Sequence, residues 1–178
     1  MKKLVYVCGI FFAFSASASA QAITPRWNGY LFFAPGASNL DFNGGRATIH
    51  IGGGGEAFIY NGLSVGAEVG PFFPWSPPGR GSTCCSHVHG LGSANIGYHF
   101  LPKTTDRKLE PFLTAGYSLF FGNLSIPGRG LTGTQSGYNA GGGLNWWFQQ
   151  KAAIRLEVRH QSSVWYKTMD IRIGMTFR

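Results

Sequence analysis

The ten residues before the final arginine alternate without a break. Met169, Ile171, Ile173, Met175 and Phe177 are apolar, and Thr168, Asp170, Arg172, Gly174 and Thr176 stand between them. Successive side chains of a strand point to opposite faces, so this period makes a strand with two unlike faces. The segment upstream does the same, with Ile154, Leu156 and Val158 set against Arg155, Glu157 and Arg159.

The pattern recurs along the chain. Tyr138, Ala140, Gly142, Leu144, Trp146 and Phe148 alternate with Asn139, Gly141, Gly143 and Asn145. Leu113, Ala115, Tyr117, Leu119 and Phe121 alternate with Thr114, Gly116 and Ser118. Leu63, Val65, Ala67 and Val69 alternate with Ser64, Gly66, Glu68 and Gly70. Ile49, Ile51, Ala57 and Ile59 share one parity, and His50 and Glu56 take the other. Residues 27–35 and 88–100 complete a set of eight strands.

The connections sort by length. Three are short: 60–62, which contains the hairpin signal Asn61-Gly62, 101–108, and 149–151. They alternate with longer Gly-, Pro- and Ser-rich loops at 36–45, 72–86, 122–135 and 161–167. In an up-and-down meander, alternate connections lie at opposite ends. An even strand number with short turns at one end and long loops at the other describes an all-β, eight-stranded antiparallel transmembrane β-barrel.

The first twenty residues read as a leader. Lys2 and Lys3 precede an apolar run over 4–14, and Ala18-Ser19-Ala20 ends a small-residue stretch. That is the form of a cleaved secretory signal peptide, which leaves 21–178 as a single outer-membrane barrel domain. Without Lys2 and Lys3, thirteen of the 15 Lys and Arg remain against 7 Asp and Glu. The exported chain is therefore basic, which by itself names no partner. Nothing in it points to nucleic acid. Beyond the leader no apolar stretch reaches the 18 or so residues of a membrane helix, so membrane entry would be by strands.

A soluble lipocalin-like barrel that binds a ligand would alternate in the same way, with its apolar face inward and a charged face in water. Here the polar face is mostly Gly, Ser, Thr and Asn, and charged residues are only 12% of the chain. Small residues suit the interior of eight strands, which is barely wide enough for its own side chains. Tyr98, Phe100, Phe121, Trp146, Phe148 and Phe177 lie near strand ends on the apolar face, as an interfacial girdle would.

The hairpin "IHIGGGGEAFIYNGLSVGAEVG" and the closing segments "GGGLNWWFQQKAAIRLEVRH" and "DIRIGMTFR" resemble the small outer-membrane barrels related to the barrel domain of outer-membrane protein A. The resemblance runs from about Trp27 to Arg178. It implies insertion by the barrel-assembly machinery, which reads a terminal aromatic strand. Here Phe177 is penultimate and Arg178 is last. It also implies residence in the outer membrane among its lipid and lipopolysaccharide. The expected role is non-catalytic: envelope structure or surface interaction, with a narrow solute conduit as its limit.

Three clusters are candidates for chemistry. On the parity above, His50, Glu56, Glu68, Arg155, Glu157, Arg159, Asp170 and Arg172 face the lumen. Isolated charges there are costly, so they should pair and plug the barrel, with Arg155, Glu157 and Arg159 meeting Asp170 and Arg172 on the next strand. Cys84, Cys85, His87 and His89 form a loop cluster. Adjacent Cα atoms lie about 3.8 Å apart, below the usual disulfide span, and zinc sites space their cysteines by two to four residues. A strained or intermolecular disulfide fits better than a metal, and no cofactor is expected. Finally, His160-Gln161-Ser162 resembles the His-x-Ser of lipid A deacylases, which are similar barrels. Their following Asn is replaced by Ser163, and the nearest downstream carboxylate, Asp170, has inward parity. A deacylase is therefore the alternative reading, behind the non-catalytic one.

Overall fold

The structure, a computed structural model, describes residues 27–40, 44–75, 89–100, 108–121, 123–126, 129–132, 134–163 and 166–178. They form ten strands: β1 (Trp27–Leu40), β2 (Gly44–Tyr60), β3 (Leu63–Trp75), β4 (His89–His99), β5 (Leu109–Phe121), β6 (Asn123–Ile126), β7 (Arg129–Thr132), β8 (Gln135–Trp147), β9 (Ala152–Ser163) and β10 (Tyr166–Phe177). Eight of them close a barrel in the order β1-β10-β9-β8-β5-β4-β3-β2, every pair antiparallel. Closure leaves no unpaired edge to template aggregation. The eight-stranded transmembrane-type barrel expected from the alternation is the fold observed.

The short turns lie where the turn chemistry puts them. Asn61 and Gly62 both have positive φ, 41° and 88°, as a two-residue turn matched to strand twist requires. A Cβ on Gly62 would run into the carbonyl oxygen of His99, whose own N–H donates to Gly62 O at 2.8 Å.

The loops differ from the sequence reading in four places. One is the expected loop at 161–167, where β9 runs on to Ser163 and β10 starts at Tyr166, with Ser162 paired to Lys167. Ladder pairing of β1 with β2 continues through the expected loop at 36–45, as far as Leu40↔Gly44. β1 is paired on its other side too, to Leu40↔Tyr166. Gly, Ala and Ser dominate this stretch and give no hydrophobic period, yet hydrogen bonds to both neighbours hold it extended. β3 likewise runs on to Trp75. The loop at 122–135 carries its own two-stranded ribbon, β6 with β7, from Asn123↔Thr132 to Ile126↔Arg129.

Burial alternates along each wall. Leu31, Val69, Ile96, Leu113, Val158, Met169 and Ile171 are exposed on the outside. Every acidic side chain among the described residues, Glu56, Glu68, Glu110, Glu157 and Asp170, is buried inside. The lumen is not only polar. Tyr30, Phe32, Phe58, Phe72, Phe112, Phe120 and Trp147 are buried as well. They supply the bulk that the glycines opposite them lack. A Cβ on Gly54 would stand 2.8 Å from the Tyr30 ring, and one on Gly52 would stand 2.6 Å from the Phe32 ring.

Candidate functional site

Most of the buried charges form one chain of contacts from the short-turn end toward the long-loop end. Glu110 opens it. Its Oε1 receives Asn145 Nδ2 at 3.3 Å and faces His99 Nδ1 at 2.9 Å. Its Oε2 receives Trp147 Nε1 at 3.1 Å and Arg178 Nη2 at 2.6 Å. The Arg178 guanidinium also lies 3.5 Å above the centre of the Trp147 ring. The other nitrogen of His99 is 3.0 Å from Glu56 Oε2, so this imidazole bridges two carboxylates. Asn28 and Ser64 donate to Glu56 at 3.2 and 3.4 Å.

Arg155 carries the network upward. It lies 3.6 Å from Glu56 and donates to Glu157 Oε2 at 3.2 Å. Its guanidinium rests 4.0 Å from the Phe112 ring centre and 4.6 Å from that of Tyr30. Such faces attract cations. Glu157 Oε1 takes Arg159 Nε at 2.5 Å. Arg159 then crosses the lumen to Glu68 Oε1 at 2.7 Å, and Arg172 reaches the same oxygen at 2.8 Å. The Tyr30 hydroxyl donates to Glu68 Oε2 at 3.1 Å.

These partners differ from those expected for neighbouring strands. Arg155, Glu157 and Arg159 pair along β9 itself, and Arg159 and Arg172 pair across the barrel with β3. Asp170 accepts from Gln161 Nε2 at 3.0 Å. Side chains two apart on a highly curved wall converge toward the axis. Long guanidinium stems then span a bore only eight strands wide. His50 stands apart from the chain of ion pairs. Its ring meets Phe32 edge to face at 4.8 Å and Phe72 at 6.1 Å.

Two members of the network, His99 and Glu110, escaped the sequence reading. Their parity was available. Tyr98 and Phe100 face outward and flank His99, while Glu110 keeps step with Thr114. His99 lies in the weakly alternating segment 88–100, and Glu110 lies between the connection at 101–108 and the alternation that begins at Leu113, so neither stands out.

The remaining candidates are separate. Cys84, Cys85 and His87 lie outside the described residues. His89 opens β4 opposite Phe72. His160 is on the outer face of β9, its ring 6.3 Å from that of Tyr138. Asp170, held by Gln161, is on the inner face, so the wall of the barrel separates this carboxylate from His160 and Ser162.

The fold has solved counterparts. Neisserial surface protein A superimposes with a TM-score of 0.68 at 13% identity, over 85% of this chain and 96% of that one. The N-terminal β-barrel domain of Pseudomonas aeruginosa OprF gives 0.61 at 14% identity, over 86% and 98%. Ail, the attachment invasion locus protein of Yersinia pestis, gives 0.59 at 11% identity, over 85% and 96%. The chain matches no protein-family model and no curated protein sequence. These likenesses establish the fold, that of the small eight-stranded outer-membrane barrels.

Proposed function

We propose that the chain is a non-catalytic outer-membrane protein, exported with a cleaved leader and inserted by the barrel-assembly machinery. Its role is envelope structure and surface interaction through the long loops. One observation carries this reading: the barrel is inside out by the standard of a soluble one. Large apolar side chains cover the outer wall, and the described acidic residues are inside. In water such a surface would aggregate; in lipid it is solvated. A lipocalin-like barrel has the opposite polarity.

The cross-linked lumen argues for a plug rather than a conduit. Arg159 and Arg172 meet on Glu68 inside the barrel, with the Arg172 guanidinium over the Phe32 ring. The deacylase alternative lacks support because Asp170 stands on the far side of the wall from His160. Surface interaction fits the company of the fold. Ail, a barrel of the same architecture, has been crystallised with the heparin analogue sucrose octasulfate.

The test is fractionation followed by a gel of unboiled and boiled samples in mild detergent. Recovery with the outer membrane and a heat-dependent mobility shift are expected. A soluble periplasmic protein without the shift would sink the proposal.

A further inference from the structure

Among the described residues, the exterior polar side chains toward the long-loop end gather along one line. Tyr117 of β5 stands opposite Tyr138 of β8, Tyr138 opposite Ser162 of β9, and Ser162 opposite Lys167 of β10. Tyr117, Tyr138 and Lys167 of this cross-strand row are exposed, while Ser162 between them is buried. His160 is the next exterior residue along β9. Ser136 adjoins the row, accepting from the Tyr117 hydroxyl at 2.6 Å. Directly opposed side chains lie about 5 Å apart, so these groups converge on one patch. Two steps along the strands the corresponding row is Leu113, Gly142, Val158 and Ile171, with no polar side chain.

Its height and charge suggest the occupant. Tyr138 lies eight residues from Trp146 along β8. At the usual strand rise and a tilt of about 40°, that climbs about 21 Å, close to the thickness of an apolar band. Trp146 and Tyr138 thus mark the two edges of the band, and the row sits at the long-loop edge. Tyr117 and Tyr138 are 55% and 60% exposed, and Lys167 is exposed beside them. The described carboxylates are all inside the barrel, so no described exterior group neutralises this ammonium.

We propose that this row is a binding site for the phosphorylated saccharide headgroup of a glycolipid in the outer leaflet. Lys167 and His160 face the phosphate, and the two tyrosine rings lie against the sugar and the upper acyl segments. A flat ring with a polar tip suits that boundary. The assignment rests on the outer-membrane reading above, and it names where on the wall the lipid is held.

Native mass spectrometry of the barrel tests it, with the protein released from mixed micelles containing bisphosphorylated lipid A or its dephosphorylated form. The wild type should retain the bisphosphorylated lipid. Lys167→Glu should cut retention at least about fivefold, the size expected for the contribution of one cation at an anionic surface. Lys151→Glu, at the opposite end, should retain it as the wild type does. Equal retention by Lys167→Glu and the wild type would overturn the site. So would equal retention of the dephosphorylated lipid. A heat-dependent gel shift in each variant keeps these outcomes separate from loss of the fold. Soluble recovery of the wild type would instead sink the outer-membrane reading.

Discussion

One oxygen of Glu68 accepts from two guanidinium groups, Arg159 of β9 at 2.7 Å and Arg172 of β10 at 2.8 Å. All three side chains are buried. Removing the shared partner leaves two buried cations facing each other. Breaking a buried ion pair from one side costs about 3–5 kcal/mol. Glu68→Ala should lower the stability of the detergent-folded barrel by that order. Glu68→Gln should cost less, because its amide oxygen can still accept. Urea unfolding followed by tryptophan fluorescence reads both, and an unchanged Glu68→Ala midpoint would remove this contact from the stabilising set.

The same arrangement predicts the electrical behaviour. The guanidinium of Arg172 lies 4.5 Å from the Phe32 ring centre, and that of Arg155 is seated on Phe112 and Tyr30. Ions would have to displace these groups from both carboxylates and rings. Planar bilayers containing the wild type should show no stepwise current. Glu68→Ala combined with Arg159→Ala and Arg172→Ala should introduce steps, because three bulky crossing side chains are shortened together. Regular open steps in the wild type would show that the interior is a conduit after all.

How far the sequence reveals this interior depends on which physical signal each residue carries. Arg155, Glu157 and Arg159 sit in an unbroken alternation, so their inward parity is legible. Their partners are not. Parity assigns a face, whereas the meeting of Arg159 with Glu68 depends on barrel circumference and on stem length, and they lie 91 residues apart. His99 and Glu110 are hidden for a local reason, being the last and second residues of strands beside a polar connection. The first hairpin is hidden for another. Ser38 and Thr48 continue the inward face, but the Gly36-Ala37 step has no bulk to mark the outward one.

The β2–β3 turn offers a test of local geometry. Gly62 has φ of 88°, where any Cβ is strained, and the added atom would strike the backbone oxygen of His99 rather than a movable side chain. Gly62→Val should therefore destabilise by more than the roughly 1 kcal/mol that a side chain costs at positive φ alone. It should also slow refolding into micelles, since the hairpin closes a register that β4 then reads. Asn61→Gly, which keeps positive φ accessible, should fold at nearly the wild-type rate. Time-resolved gel-shift assays distinguish the two, and equal rates for Gly62→Val and the wild type would show that the turn forms late.

Arg178 supplies the last test, at the end of the barrel opposite the long loops. Its backbone N–H donates to Lys151 O at 3.0 Å, while its side chain joins Glu110 and covers the Trp147 ring. The side chain is 25% exposed, so solvent screens the ion pair and its contribution should fall near 1 kcal/mol rather than at the upper end for charged hydrogen bonds. Arg178→Ala should lower stability by about that amount. Arg178→Lys should recover only part of it, because an ammonium cannot both stack flat on an indole and direct a planar fork at a carboxylate. The indole also reports directly. Losing the guanidinium from its face should change the emission of Trp147, measured with the other tryptophans replaced by Phe. If Arg178→Ala altered stability but left that emission untouched, the cation would act through Glu110 alone.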